Sequence, residues 1–158
     1  MDIKEFVQQR RDAFIAMRRD FHMYPEPAWL EYRSASKVAD KLISLGYDVA
    51  LGAEVLDLDS RMGLPSEDVM KAAMARAMDE GADPELVEKM GYGKTAIVAT
   101  MKFSDDGPVV AFRADMDSND VIESKASNHI PAKNGFRSRH EKAMHACGHD
   151  THMTMGLG

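Results

Sequence analysis

Two apolar runs separated by one turn constrain this chain most. Residues 95–101 (Thr-Ala-Ile-Val-Ala-Thr-Met) and 109–115 (Val-Val-Ala-Phe-Arg-Ala-Asp) carry the β-branched and aromatic residues of buried strands, and Asp105-Asp106-Gly107-Pro108 between them has turn chemistry. Runs this apolar need cover on both faces, and the flanking sequence supplies helices. From Asp2 to about Met23, Ile3, Phe6, Phe14, Met17 and Phe21 recur at helical spacing, until Pro25 and Pro27 end the pattern. A second helix is expected over about 33–45, with Ala35, Val38, Leu42 and Leu45 on one side and Gly46 as its stop. Residues 47–51 alternate and read as a strand. Alternating strands and helices argue for an α/β fold, its strands covered by the first two helices.

Between the strand at 47–51 and the run at 95–101 lies a segment of another character. Over roughly 52–91 the sequence predicts a helical insertion. Pro65-Ser66 starts an Ala/Met-rich helix that Gly81 stops, and Asp83-Pro84 opens a short second one. Residues 116–143 are polar and read as loop. A last helix starts after Asp150. The 158 residues, 44% hydrophobic and 29% charged, suit one domain able to bury a core without disulfides. A net charge of −6 with no basic stripe argues against a nucleic-acid partner. No apolar run has the length of a membrane span. The single cysteine, Cys147, and the absence of a secretion-type apolar run predict a reducing, cytoplasmic setting.

The chemistry is concentrated at 144–152, Met-His-Ala-Cys-Gly-His-Asp-Thr-His. In an extended stretch alternate side chains share a face, so Cys147 and His149 converge on one ion, with Gly148 allowing a sharp turn between them. Thiolate and imidazole suit zinc and other divalent first-row metals. Asp150 is placed to cap the following helix and to orient an imidazole, and His152 falls in that helix's first turn. A lone histidine or cysteine is usually structural, but His145, Cys147, His149, Asp150 and His152 crowd one short segment. A second constellation, Phe112-Arg113-Ala114-Asp115-Met116-Asp117, lies at the expected carboxyl edge of a strand, where α/β sheets bind ligands. Asp115 and Asp117 share a face there, either to bind a metal or to orient a metal-bound histidine, or simply as solvated residues opening a loop.

The segment His-Ala-Cys-Gly-His-Asp-Thr-His, preceded by Phe-Arg-Ala-Asp-Met-Asp, resembles the signature of the metal-dependent amidohydrolases related to aminoacylases and indole-acetyl-amino-acid hydrolases. The opening Arg18-Arg19-x-x-His22-x-x-Pro25-Glu26 is similar to that family's opening pattern, and Ser60-Arg61-Met62-Gly63-Leu64-Pro65 with its helical insertion resembles the branch acting on p-aminobenzoyl-glutamate. The resemblance spans essentially all 158 residues. It implies an incomplete three-layer α/β/α sandwich of the zinc-exopeptidase type without its lid domain, and a divalent metal, manganese or zinc. It also implies cleavage of the amide of N-acyl amino acids, and a homo-oligomer or a partner subunit. By this resemblance Cys147 and His149 match metal ligands and Asp115 a catalytic acidic residue, with Asp117, His145, Asp150 and His152 in support. The family's Asp-Met-Asp-Ala-Leu-Pro turn reads Asp115-Met116-Asp117-Ser118-Asn119-Asp120 here, a more polar loop. The family's Glu-Glu base pair and two further ligand histidines match nothing in these residues, since Glu123 and Glu141 precede the motif and are not adjacent. The expectation is therefore a half-site, an N-terminal fragment inactive alone. The alternative is a non-catalytic metal-binding or interaction module that works with another chain.

Overall fold

A computed structural model describes residues 2–158. Its helices are α1 (Ile3–Gln9), α2 (Arg11–Met23), α3 (Tyr32–Ser44), α4 (Glu67–Asp79), α5 (Pro84–Lys89), α6 (Ile130–Lys133) and α7 (His149–Leu157), and its strands are β1 (Asp48–Leu51) and β2 (Ile97–Thr100). None of these helices is long and apolar enough to cross a membrane.

The single helix expected over 2–23 is two. Asp2 caps α1 through a 2.9 Å bond from the Lys4 N–H, and Arg10 leaves helical geometry at φ −104°. The apolar stripe does not hold the two pieces in one line because α1 has nothing to pack against: it buries no residue, and Ile3 is 79% exposed. α2 does have a partner. It buries Phe21 and His22 and packs on α7.

α3 begins without a cap from its own N-terminal residue, Glu31. The cap comes instead from Glu26, whose carboxylate accepts from the N–H groups of Arg33 and Ser34 at 2.9 and 2.7 Å. Gly46, at φ 86°, turns the chain out of α3 into β1. β1 and β2 pair antiparallel, with Asp48 opposite Thr100 and Leu51 opposite Ile97, and α3 lies against both. The insertion expected over 52–91 joins these two strands, and it is not an appendage. Its helices α4 and α5, capped by Ser66 and Asp83, contribute Ala73, Met74, Ala77, Leu86, Val87 and Met90 to the same core as Tyr32, Ala35 and Ala39 of α3. Small residues on α3 and α4 permit their close approach.

The run at 109–115 is not a strand. It has no regular secondary structure and pairs with no strand among the described residues; Val109 is 99% and Phe112 93% exposed. Strand propensity describes a fit to a pleated, partly covered surface, and an apolar segment with neither ladder nor cover forms no strand. The sheet among the described residues is two-stranded, and helices dominate the mixed arrangement. The expectation that the first helical region covers the strands also fails, since α2 packs on α7. The loop over 116–143 holds the short α6 and two isolated bridges, Pro27 to Ser118 and Asn119 to Met144.

Candidate metal centre

The Asn119–Met144 bridge brings the two constellations together. Each residue's N–H donates to the other's carbonyl at 3.0 Å, which sets the segment carrying Asp115 and Asp117 beside the segment leading to His149. α7 then starts at Gly148, whose φ of 89° suits glycine and whose side-chain-free backbone provides no cap. His149 and His152 stand three residues apart in the first turn of α7, so they share a face, and their rings lie 5.0 Å apart.

Against that face sits Asp115. Its Oδ2 is 3.9 Å from His149 Nε2 and 3.8 Å from His152 Nδ1. Arg113 donates to its Oδ1 at 2.9 Å and, with His149 and His152 adding smaller attractions, holds the carboxyl below its ordinary range. His149 Nδ1 is 2.9 Å from the carbonyl of Asp117 and 3.0 Å from its Oδ1. Both are acceptors, so Nδ1 carries the proton and Nε2 keeps a free lone pair, the arrangement by which an outer carboxylate fixes a ligand histidine. The ligand atoms of Asp115, His149 and His152 all lie within 4.8 Å of one another. Two imidazoles and one carboxylate with open sides are a donor set suited to zinc or manganese.

The other expected residues fall around this group. Cys147 is exposed, its thiol 3.7 Å from the same Asp117 carbonyl that His149 bonds, and it is not one of the three clustered donors. His145 is buried, 3% exposed, with neither ring nitrogen bonded, and burial lowers its pKa to about 4, so it is neutral at ordinary pH. Asp150 points away from the cluster into the protein. Its Oδ2 meets Arg18 at 3.0 Å and His22 Nδ1 at 2.7 Å, and its Oδ1 accepts the Thr151 N–H at 2.8 Å. The opposite nitrogen of His22 is 3.0 Å from Glu123, which also takes His129 Nε2 at 2.8 Å and the Ser138 N–H at 2.5 Å.

The contacts of this buried network cannot be read from spacing along the chain. Their one local signal is the pair Arg18 and His22, four residues apart on one face of α2, within the opening Arg-Arg-x-x-His pattern. Burial alone would lower the pKa of His22, but its bonds to Asp150 and Glu123 outweigh that and raise it. Both carboxylates are held below their ordinary range against the opposing effect of burial, chiefly by their bonds to His22. Glu26 anchors the site from the other side. Beyond capping α3, its backbone carbonyl accepts the N–H of Ser118, adjacent to Asp117, at 2.8 Å.

No family model matches the chain. Individual relatives do. It is 44% identical over 156 residues to the indole-3-acetyl-aspartic acid hydrolase of Enterobacter agglomerans, and 44% identical over 156 residues to one of the subunits of p-aminobenzoyl-glutamate hydrolase from Escherichia coli, covering 99% of this chain and 36% of each relative. It is 32% identical to thermostable carboxypeptidase 1 of Saccharolobus solfataricus, over 99% of this chain and 28% of that one. Among solved structures, it matches the aminobenzoyl-glutamate utilization protein from Klebsiella pneumoniae with a TM-score of 0.73 at 44% identity, covering 77% of this chain and 31% of that one. The chain thus spans about a third of the length of the curated relatives it matches. Over nearly all of its own length it is a homologue of the p-aminobenzoyl-glutamate and indole-3-acetyl-aspartic acid hydrolases.

Proposed function

We propose that these residues form the N-terminal part of a metal-dependent amidohydrolase that cleaves the amide of N-acyl amino acids such as p-aminobenzoyl-glutamate. The observation carrying this reading is the cluster of Asp115, His149 and His152, with the lone pair of His149 Nε2 left free by the bond at Nδ1. These three would hold a zinc or manganese ion, and Cys147, outside the cluster but with its thiol against the Asp117 carbonyl, would be a further donor to it. Such an ion supplies Lewis-acid polarisation of the scissile carbonyl. The protein's own part is to keep the donors in the right protonation state. Arg113 keeps Asp115 ionised, Asp117 fixes the tautomer of His149, and His145 remains a neutral neighbour.

The general base comes from outside these 158 residues. Glu123 is locked by His22, His129 and Ser138, Glu141 pairs with Lys125 at the surface, and Asp117 is committed to His149. The chain alone is thus a half-site. The exposed run at 109–112 favours assembly, with a second copy or a partner subunit, and it equally supports a non-catalytic module acting with another chain. The lone free thiol suits a reducing cytoplasm.

The test is to titrate zinc and manganese into the purified chain, then to assay p-aminobenzoyl-glutamate with a full-length relative as control. Metal binding without turnover is expected, because a general base contributes roughly 10²–10⁴-fold. Metal-dependent turnover within about tenfold of the control, lost in His149→Ala, would show that the base lies within these residues.

A further inference from the structure

We propose that His22 is a positioning residue for the metal ligands, holding Asp150 so that the first turn of α7 presents His149 and His152 to Asp115. The inference rests on the metal reading above for its consequence, but its geometry stands apart from any ion.

The start of α7 needs an external fixture. Gly148 has no side chain with which to cap the helix, and φ 89° is a conformation that glycine leaves readily. Successive helical residues turn by about 100°, so His149 and His152 project about 60° apart on one side while Asp150 projects to the opposite side. Rotation of that turn is therefore set by whatever grips Asp150. Asp150 is completely buried, and what grips it is α2, through His22 at 2.7 Å and Arg18 at 3.0 Å.

The chemistry of the grip is specific. An ionised carboxylate has no proton to donate, so the two carboxylate oxygens facing His22 Nδ1 and Nε2 each require an N–H from the ring. His22 thus bridges Asp150 and Glu123 through its two ring nitrogens. With Arg18 3.0 Å from Asp150 on the same face of α2, the grip on Asp150 includes a charge-assisted bond, the strong class of hydrogen bond. Through Glu123 the grip extends to the Ser138 N–H, which joins α7, α2 and the loop before the motif. Without the ring at position 22, Asp150 would keep Arg18 and Glu123 would keep His129 and Ser138, but the bridge joining the two carboxylates would be gone, and the first turn of α7 would lose part of the restraint that aims its histidines.

The test compares His22→Gln and Asp150→Asn with wild type, using His140→Gln as a control. His140 also bonds through both ring nitrogens, to Glu80 at 2.8 Å and to the Pro25 carbonyl at 2.6 Å, but makes no bond to α7. Two readouts are taken on proteins shown to be folded by circular dichroism. The first is amide hydrogen exchange of metal-free protein over residues 148–158. The second is zinc affinity by competition, with the visible spectrum of the cobalt(II) form. In His22→Gln and Asp150→Asn, exchange in the first turn of α7 should rise about tenfold while α3 and α4 keep their protection, and zinc should bind roughly 10–100-fold more weakly, with an altered cobalt spectrum. His140→Gln should change neither. If His22→Gln does not fold, Asp150→Asn carries the same expectation. Should wild type bind no zinc or cobalt, the metal reading falls and hydrogen exchange alone decides the positioning role. Wild-type protection of α7 in both folded variants, or a loss of protection spread evenly over the chain, would overturn the proposal.

Discussion

Glu26 is a carboxylate with conflicting demands. Burial pushes its pKa up to about 7, although two helix N–H groups favour the charged form. In an unfolded chain the same group titrates near 4.5. The native state therefore holds the proton more tightly, and between those values it binds more protons than the unfolded state. Stability from this group is fully present below about 4.5 and is lost as pH rises through about 7. Glu26→Gln should remove this dependence. Urea unfolding midpoints at about pH 5 and about pH 7.5 should differ less in the variant than in wild type, and an unchanged difference would mean that Glu26 titrates normally. The same scale decides the metal donors. His149→Ala should abolish zinc binding, since His149 is the member of the cluster with a fixed tautomer. His152→Ala, which removes another of the three clustered donors, should also weaken binding strongly, and Cys147→Ser, at a donor outside the cluster, about tenfold. Equal affinity in Cys147→Ser and wild type would remove the thiol from the site.

At the level of elements, Met90 shows how deeply the insertion is built in. It is completely buried in the core that α3, α4 and α5 share. Met90→Ala should cost about 2–5 kcal/mol in denaturant unfolding, the range for removing a large core side chain. A loss below about 1 kcal/mol would mark the insertion as peripheral. Element identity is largely legible where helices carry local punctuation: Ser66 and Asp83 at the starts of α4 and α5 and Gly46 after α3 are signals readable without knowing what packs where. The motif at 145–152 draws attention by residue type alone, but the donors that cluster are His149 and His152 with Asp115 rather than the expected pair Cys147 and His149. What is not legible depends on partners. The break at Arg10 follows from α1 having no surface to cover, and the failure of 109–115 to form a strand follows from the lack of a neighbouring ladder. Neither is a property of the local sequence. The Asp150–His22–Glu123 bonds join residues more than a hundred positions apart, and no spacing rule reaches that far.

For the whole molecule, the decisive feature is the apolar chain left outside the core. Val109 and Phe112 are almost fully exposed, Phe103 is 84% exposed, and Val110 is 67% exposed. The run's backbone groups pair with no strand among the described residues, and the sheet that β1 and β2 form has only two strands, both of them edges. Contiguous exposed apolar surface and open strand edges both favour association between chains. Charge offers little resistance along this stretch, because residues 107–112 carry none. Self-association of the 158-residue chain is therefore expected, growing with concentration. Sedimentation velocity should show species larger than the monomer across the micromolar range. Val110→Lys with Phe112→Glu should shift the distribution towards monomer. Both residues lie outside the buried core, so the thermal unfolding of the monomer should change little. An unshifted distribution in the double variant would place the association elsewhere, with exposed Ile3 and Val7 of α1 the next apolar surface to substitute. A wild-type chain that stays monomeric at every concentration would mean that this segment finds cover within its own chain in solution.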